Sequence, residues 1–378
     1  MGINTVILDI SGTTLKSDGT PQPKIPQLLK FLRDSEINIV FVTNQSSERR
    51  KLIRSELPYD LLLSPIDVSY VKKPSPNYID SAIYKLRTSY SKCIYVGDND
   101  RTDAFCAANR KLLYFSAHWS NPRAKYGIKI QSPTTLLNYI TSFLMKDEFW
   151  GWEYSGNDRN GFSIEAKTLF DSHNSGLKTF AVDALKRNHQ IYLRKFAHHL
   201  IGSIYLSKIF HSIDIWSTYP SHNQGDSINK TLEGIIKVAT QESHKLYLDL
   251  FIRHTTSKDS GKARYYGSSV DFENQISTVH LNPKYADKIK NKSILLIDDF
   301  ITKGYSSECA RNLLYRAGAK SVISIACGKY GDAFKNISID EDFDAFEVIN
   351  PDELTIYEKT VNGKFNNRVD KQIKSTLV

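Results

Sequence analysis

The stretch TVILDISGTT, residues 5–14, contains the first predicted strand of the chain and ends it at a carboxylate, Asp9. Similar apolar runs recur at 37–43 (INIVFVT) and 93–98 (CIYVGD), with amphipathic segments between them. Continuous apolar runs are typical of parallel strands buried on both faces, and a period of about 3.6 residues is typical of the helices that cover them. The alternation predicts a doubly wound α/β domain.

A second part of the chain repeats this strand–helix rhythm. Residues 148–162 are rich in Gly, Trp and Asn and interrupt the first pattern, so we interpret them as a junction between domains at 1–147 and 163–378. We expect 163–210 to be largely helical and the rhythm to resume at IDIWSTYP (213–220). The predicted fold class is therefore α/β with two doubly wound domains.

Composition limits the classes of function. The chain has 378 residues, of which 40% are hydrophobic and 24% charged, and its formal net charge is +9. No apolar run reaches the roughly 18–20 residues of a membrane span, and the first residues resemble no export signal, so we expect a cytoplasmic protein. Cys93, Cys106, Cys309 and Cys327 lack metal-type spacing and are interpreted as reduced thiols, most of them buried. The positive charge favours phosphorylated metabolites or nucleic acid as partners.

Polar residues follow several of the first domain's strands. Asp9 ends the first strand, Thr43 ends the second, and Lys73 lies in VKKPSP (71–76). Asp98 and Asp103 follow the strand CIYVGD. Ligands of open α/β sheets bind at the carboxyl ends of the strands. A carboxylate there can attack phosphorus, a lysine and a hydroxyl can hold the phosphoryl charge, and further carboxylates can bind Mg²⁺.

These residues are similar to four motifs of the haloacid dehalogenase superfamily in its phosphatase branch. The order is DxxGT from Asp9, an apolar run ending at Thr43, KPxP from Lys73 and GDxxxxD over 97–103. The resemblance covers about residues 4–145 and implies a capless domain that hydrolyses a phosphorylated small molecule. It implies Asp9 as nucleophile, Thr43 and Lys73 as phosphate-binding groups, and Mg²⁺ held by Asp9, the Ser11 carbonyl, Asp98 and Asp103.

Ser11 departs from that pattern, because phosphatases of the superfamily usually carry a second Asp at this place. That Asp protonates the leaving group and later activates water, and such help is worth on the order of 10²–10⁴ in rate. Three interpretations stay open: a working phosphatase with a good leaving group, a metal-binding domain of feeble activity, and a scaffold in which Asp9 only caps a strand.

The segment SILLIDDFITKGYSS (293–307) contains the most specific motif of the second part. A buried strand is predicted at 294–297, followed by Asp298 and Asp299, a turn of small residues and a helix from about Ser306. Adjacent carboxylates can bind vicinal hydroxyls, and backbone N–H groups at a helix N-terminus can bind an anion. Together they predict a ribose 5-phosphate site.

This segment resembles the phosphoribosyl pyrophosphate motif of type I phosphoribosyltransferases, over roughly residues 190–330. The resemblance implies a pyrophosphate loop at STYPSHNQ (217–224) and a mobile flap at 254–275, whose Lys258, Lys262 and Arg264 could meet pyrophosphate. Lys303 and Ser306 depart from the usual Thr at their positions, and Lys303 could either contact the 5-phosphate or face solvent. The implied binding residues are Asp298, Asp299, Thr302, Lys303, Gly304, Tyr305, Ser306, Pro220, Ser221 and Arg253.

The two resemblances together predict a bifunctional Mg²⁺-dependent enzyme. A phosphoribosyl transfer from phosphoribosyl pyrophosphate to an unknown acceptor would precede removal of a phosphate from a nucleotide-like product. Fusions of these domain types resemble components of bacterial stress or defence systems, and such domains can form homodimers. The alternative is a regulator that senses phosphoribosyl pyrophosphate and binds nucleic acid or another partner, although nucleic acid is not the favoured ligand.

Overall fold

The structure is a computed structural model that describes residues 2–171, 175–229, 232–243, 245–258 and 271–377. Contacts divide the chain into two compact units. Unit 1 comprises Met1–Asp147, Ile201–His211 and Gln241–His244, and unit 2 comprises the remainder. The first continuous piece of unit 1 ends at Asp147, and unit 1 additionally includes two later stretches of the chain.

Unit 1 contains a six-stranded, all-parallel sheet in the order β3-β2-β1-β4-β5-β6. This confirms the α/β class and the parallel sheet. The strands are β1 (Thr5–Asp9), β2 (Asn38–Val42), β3 (Leu61–Leu63), β4 (Cys93–Gly97), β5 (Leu113–Ala117) and β6 (Ile128–Ile130). The helices before residue 148 are Ile25–Asp34, Ser46–Arg54, Asn77–Leu86, Phe105–Ala108 and Pro133–Tyr139, with π-helical turns at Asp100–Ala104 and Ile140–Leu144.

Apolar periodicity explains why these segments form a layered core. Every residue of β1, β4 and β5 is buried, as expected for strands covered on both faces. The helix Ile25–Asp34 buries Ile25, Leu28, Leu29 and Leu32, which lie on one face of a helix. The strand order reverses beside β1, so the carboxyl ends of β1, β2 and β4 meet where such sheets bind ligands.

Unit 2 contains a mixed six-stranded sheet in the order β16-β7-β8-β13-β12-β9. Strands β8, β13, β12 and β9 are parallel to one another, and β7 and β16 are antiparallel additions. The strands are β7 (Trp152–Asn157), β8 (Ser163–Asp171), β9 (Ile215–Thr218), β12 (Ser293–Ile301), β13 (Ser321–Lys329) and β16 (Lys364–Phe365). Two further antiparallel pairs are β10 (Phe251–Arg253) with β11 (Val279–Leu281) and β14 (Ala333–Ile339) with β15 (Ile356–Asn362).

The helices after residue 148 include the 17-residue helix Gln190–Leu206, which precedes β9 in the chain, and the helix Glu233–Ser243, which follows it. They are Ser175–Lys186, Gln190–Leu206, Ile209–Ser212, Glu233–Ser243, Phe272–Ile276, Ala286–Ile289, Tyr305–Arg316 and Asn367–Leu377. Within the described part of the chain, no helix combines the length and apolarity needed to cross a bilayer. All four cysteines are buried and unpaired, which agrees with the expected thiols.

Two segments differ from the sequence-based interpretation. The expected junction 148–162 contains β7, and the beginning of the segment expected to be helical, 163–171, is the strand β8. Alternate residues of β8 up to Thr168 are buried and half-buried, which is a strand period. The long helical pattern that follows from residue 175 obscured this short alternation. The flap residues Lys262 and Arg264 lie outside the described residues.

Candidate functional sites

Asp9 lies at the carboxyl end of β1, in the middle of unit 1's sheet, with only 5% of its surface exposed. The turn that follows is tight. Thr14 Oγ1 donates to the Asp9 carbonyl at 2.6 Å. Gly12 has φ +76°, and a Cβ at this position would lie 2.3 Å from Asp98 Oδ2. Only glycine therefore lets the turn approach the carboxylate of Asp98 so closely.

Lys73 connects two of the carboxylates. Its Nζ donates to Asp9 and, at 2.6 Å, to Asp103 Oδ1, and its side chain is almost fully buried. Asn44, directly after the end of β2, holds the lysine in place, because the Lys73 backbone N–H donates to Asn44 Oδ1 at 2.7 Å. The hydroxyl of Tyr78 donates to the carbonyl of Thr43 at 3.3 Å. The segments after β2 and before the helix Asn77–Leu86 are thus fixed against each other.

Asp98 and Asp103 are positioned by the end of β4 and the π-helical turn after it. Tyr95 Oη donates to Asp103 Oδ1 at 3.1 Å, and the Asn99 N–H donates to Asp103 Oδ2 at 3.2 Å. Ser120 Oγ donates to Asp98 Oδ2 at 2.5 Å. Each carboxylate is therefore oriented by at least one buried or half-buried donor, which is the arrangement that a preorganised site requires.

The electrostatics of this cluster are dominated by burial. Burial, and then the charge of Asp103, raise the pKa of Asp9 from 3.8 to about 8, against the opposing effect of Lys73. Burial also raises the pKa of Asp98. The pKa of Lys73 is raised because the two carboxylates it contacts outweigh its own burial. The lysine therefore stays charged, and full ionisation of the three carboxylates would exceed the single positive charge that it supplies.

A pocket of about 350 Å³ opens over these groups. Thr43, Asn44 and Gln45 line it from the end of β2, and the Gln45 N–H donates to Thr43 Oγ1 at 3.1 Å. Ser11 lines the pocket with an exposed side chain. The complete lining is Asp9, Ser11, Gly12, Thr43, Asn44, Gln45, Lys73, Asp98, Asn99, Thr102 and Asp103. All the residues predicted for the first site are thus brought together.

The same carboxylates fit a hard cation. One carboxylate oxygen from each of Asp9, Asp98 and Asp103 lies within 4.8 Å of the others. Oxygen donors with excess negative charge are the ligands that Mg²⁺ prefers. The acidic cluster could therefore hold the metal that the sequence predicts.

Sequence reasoning missed several residues of this site. Tyr95 is a core residue of β4 whose hydroxyl reaches Asp103, and Ser120 lies beyond β5. Gln45, Asn99 and Thr102 line the pocket without belonging to a predicted role. The feature that could have indicated these residues is their position after a strand, because polar residues that directly follow parallel strands converge at one edge of the sheet.

Asp298 and Asp299 lie within β12, near its end, with half-buried side chains. Pairing with β9 ends at Ile297 and Thr218, so both carboxylates lie beyond the end of that neighbouring strand. Burial and the adjacent charge of Asp299 raise the pKa of Asp298 well above its ordinary value. The sequence predicted the acids after the strand, whereas the strand continues through them to Ile301 because it still pairs with β13.

The loop after β12 enters the helix Tyr305–Arg316 through Gly304, which has φ +86°. The Glu308 N–H donates to the Gly304 carbonyl at 2.8 Å and closes the first helical turn. For the backbone N–H groups of residues 303–307, no acceptor lies within the described ranges. Within the described ranges, the predicted anion-binding segment thus presents N–H donors without an acceptor, and Lys303 has an exposed side chain.

Pro220 and Ser221 directly follow β9, which is parallel to β12, so they lie at the same edge of the sheet as Asp298. Arg253 has a different role from the predicted one. Its guanidinium is 1% exposed and donates to the Ser221 carbonyl at 3.0 Å and to Thr278 Oγ1 at 2.5 Å. These bonds turn Arg253 inward, so it supports the loop at Ser221 rather than facing a ligand. Lys258 is exposed on the described part of the flap.

Comparison with known proteins bears on unit 1. Residues 11–109 match the family model of haloacid dehalogenase-like hydrolases. No curated protein matches the sequence. The N-terminal domain is therefore a haloacid dehalogenase-like hydrolase domain. The match begins after Asp9, so the role of Asp9 rests on the geometry of the site and not on the family model.

Several solved structures are similar to parts of the chain. A HAD phosphatase from Thermococcus onnurineus is 22% identical, with a TM-score of 0.30 over 32% of this chain and 58% of its own. A HAD-superfamily hydrolase from Ehrlichia chaffeensis is 14% identical, with a TM-score of 0.31 over 37% of this chain and 97% of its own. The 2-haloacid dehalogenase from Pseudomonas syringae is 19% identical, with a TM-score of 0.27 over 31% and 52% of the two chains.

Proposed function

We propose that the chain is a bifunctional Mg²⁺-dependent enzyme. Unit 1 would hydrolyse a phosphate monoester of a small metabolite, and unit 2 would transfer a phosphoribosyl group from phosphoribosyl pyrophosphate to an acceptor. A phosphoribosyl transfer yields a product with a 5-phosphate, which is the kind of group that unit 1 would remove. The two reactions can therefore follow each other on one metabolite.

In unit 1, Asp9 would attack phosphorus and form an acyl phosphate, while the bond to the leaving oxygen breaks. Lys73 and Thr43 would hold the phosphoryl oxygens. Asp9, Asp98, Asp103 and the Ser11 carbonyl would hold Mg²⁺, which neutralises phosphate charge. Water then cleaves the acyl phosphate and returns Asp9 to its carboxylate.

The observation that carries this reaction is the contact of one buried lysine with both Asp9 and Asp103. An ion pair that serves only the fold needs one carboxylate for one lysine. Replacing such a buried pair with apolar residues often leaves the stability of the protein unchanged or raises it. Here a third carboxylate, Asp98, lies beside the other two, so three acids share the surroundings of one lysine. A pocket that accumulates negative charge around one lysine is suited to a cation and a phosphate.

In unit 2, Asp298 and Asp299 would bind the ribose hydroxyls, and the N–H groups of 303–307 would bind the 5-phosphate. Pro220 and Ser221, at the same edge of the sheet, would contact the pyrophosphate with their backbone. Displacement at the anomeric carbon would then release pyrophosphate. The observation that supports this reaction is that two adjacent half-buried acids are followed, a few residues later, by backbone N–H groups that have no acceptor among the described residues.

Phosphate release from para-nitrophenyl phosphate with Mg²⁺ tests the first reaction. We expect release by the wild type and none by Asp9→Asn, because an amide cannot attack phosphorus. Asp34→Asn is the matched control, since Asp34 is an exposed carboxylate that pairs with Lys30 on its own helix. Release that survives in Asp9→Asn would remove Asp9 from the reaction.

Pyrophosphate release from phosphoribosyl pyrophosphate with Mg²⁺ and a panel of bases tests the second reaction. We expect release by the wild type and loss in Asp298→Asn/Asp299→Asn, while exposed Asp352→Asn behaves as the wild type. Absence of pyrophosphate release with every acceptor, together with absence of calorimetric binding of phosphoribosyl pyrophosphate, would refute the assignment.

The net charge of +9 favours a second candidate function, a regulator that binds nucleic acid in response to phosphoribosyl pyrophosphate. Binding through phosphates falls steeply with salt because counterions are released. Salt-dependent binding of RNA or DNA that changes with phosphoribosyl pyrophosphate, without pyrophosphate release, would favour this regulator over the enzyme.

A further inference from the structure

Lys329, the last residue of β13, is a buried cation that the predicted sites do not include. Its side chain is fully buried, and its Nζ lies 2.6 Å from the Thr302 carbonyl and 2.7 Å from the Gly331 carbonyl. The carbonyls of Tyr330 and Ala333 lie at 3.0 Å. Buried lysines normally pair with carboxylates, because an isolated buried charge is costly. Lys329 instead binds backbone oxygens from two loops.

The surroundings keep this side chain in one orientation. The Trp152 ring centre lies 5.1 Å from Nζ, a distance at which a cation is attracted to an aromatic face. Burial lowers the pKa of Lys329 to about 8, and the nearby Asp332 opposes that shift. The ammonium has three donors, which the four carbonyls share.

The carbonyl of Thr302 belongs to the peptide whose N–H is that of Lys303. In a planar trans peptide, C=O and N–H point in opposite directions, so a carbonyl held by Lys329 turns the Lys303 N–H away from it. The next peptide is held in the same way, because the Lys303 carbonyl accepts from the Lys335 N–H at 2.8 Å. The consecutive N–H groups of 303–307, which find no acceptor within the described ranges, follow directly.

We propose that Lys329 is a positioning residue for the phosphate-binding loop 303–307. It does not touch the ligand but fixes the peptide plane that begins the loop, and its charge increases the attraction of the loop for an anion. This inference rests on the proposed phosphoribosyl site. It adds a buried cation that acts through the backbone to the predicted binding motif.

The test is calorimetric binding of ribose 5-phosphate to the full chain. Lys329→Met should bind it at least about tenfold more weakly, comparable to losing one hydrogen bond to a charged group. Lys320→Met is the matched control, since Lys320 is an exposed lysine just before the other end of β13. We expect that variant to bind as the wild type does.

Chemical rescue separates positioning by charge from general loss of structure. In Lys329→Ala, added methylammonium can occupy the vacated space and should restore ribose 5-phosphate affinity, whereas the larger tetramethylammonium should not. Thermal unfolding checks that the variant is folded, and stabilisation of an unfolded variant by methylammonium would itself report the cation site.

The outcomes distinguish this inference from the proposed function. Unchanged affinity in Lys329→Met, or a folded Lys329→Ala that methylammonium does not rescue, would overturn the role of Lys329 and leave the phosphoribosyl site standing. If the wild type binds neither ribose 5-phosphate nor phosphoribosyl pyrophosphate, the proposed site fails and this inference fails with it.

Discussion

At the scale of single residues, the behaviour of Asp9 follows from the charges that surround it. Three carboxylates share a small volume with one lysine, and all but Asp98 are nearly fully buried. Burial disfavours the charged form of Asp9, and protonation also relieves part of the repulsion from Asp103, so the pKa of Asp9 is raised to about 8. A bound cation would relieve the same repulsion, so a proton and a metal compete for this carboxylate.

Magnesium binding should therefore depend on pH. Calorimetry at several pH values between about 6 and about 9 should show two regimes. Below the pKa of Asp9, the affinity for Mg²⁺ should rise by up to about tenfold per pH unit, and above that pKa it should become constant. Without metal, the stability contributed by neutral Asp9 is fully present below its ordinary pKa of 3.8 and is lost as the pH rises to about 8. Asp9→Asn should weaken the pH dependence, because Asp98 still titrates at the site, and a flat profile in the wild type would contradict this account.

In the proposed phosphatase reaction, Ser11 would limit the leaving groups that unit 1 expels. Apart from Asp9, Asp98, Asp103 and Lys73, the residues that line the pocket carry no carboxyl, amino or imidazole side chain. We expect para-nitrophenyl phosphate, whose leaving group needs little protonation, to be cleaved faster than glycerol phosphate. Ser11→Asp should raise the rate with the alkyl phosphate by about 10²–10⁴.

Ser11→Asn is the control for that change, because it has nearly the size of Asp and no acidic proton. A faster Ser11→Asn would attribute the gain to shape rather than to acid catalysis. If the wild type is inert toward both phosphates while Ser11→Asp is active, unit 1 is a hydrolase domain that has lost its acid.

At the scale of elements, the turn between β12 and the helix Tyr305–Arg316 depends on a close contact. A Cβ on Gly304 would lie 2.3 Å from Phe334 Cε2. Phe334 cannot easily retreat, because its ring packs 5.8 Å from Trp152 and 5.5 Å from Tyr154, centre to centre. The left-handed backbone and the aromatic contact together require glycine at this position.

Gly304→Ala should destabilise unit 2 by more than the strain of an alanine in the left-handed conformation, because the added Cβ also meets Phe334. The backbone strain is about 1–2 kcal/mol, and the contact with Phe334 adds about 1–3 kcal/mol of overpacking. Gly161→Ala is a matched control, because Gly161 has φ +85° and nothing within 4 Å of the added Cβ. Urea unfolding measures both, and equal losses would show that Phe334 yields without cost.

At the scale of the whole molecule, unit 1 is completed by a stretch of chain far from its own sequence. Tyr205, within the piece Ile201–His211, is fully buried and donates to the Tyr90 carbonyl at 2.9 Å and to the Cys93 carbonyl. Lys146 donates to Ser203 in the same piece at 2.6 Å. The start of β4, the strand that leads to Asp98, is therefore anchored from outside the first 147 residues.

Tyr205→Phe should lower the stability of unit 1 by about 1–3 kcal/mol, because buried carbonyls lose their donor. The midpoint temperature of para-nitrophenyl phosphate hydrolysis should fall, while that of ribose 5-phosphate binding by unit 2 stays unchanged. Exposed Tyr84→Phe is the control. A fall in both midpoints would mean that the two units unfold as one.

The sequence by itself determined the local pattern. Apolar runs predicted β1, β2 and β4 to within two residues, because burial on both faces leaves a continuous signal. The carboxylates at strand ends predicted the first site, since parallel strands bring their carboxyl ends to one edge whatever the loops do. These inferences needed only neighbours along the chain.

The tertiary structure alone decided which side chains meet. The contacts of Lys73 with Asp103, of Arg253 with Ser221 and of Lys329 with Thr302 join residues separated by 30, 32 and 27 positions. Whether a basic residue faces a ligand or the protein depends on the hydrogen-bond acceptors that folding brings to it. The hydrophobic periodicity of the sequence does not indicate where those acceptors lie. For the same reason Arg253 was predicted as a ligand contact, and Lys329, in an apolar strand, was not predicted at all.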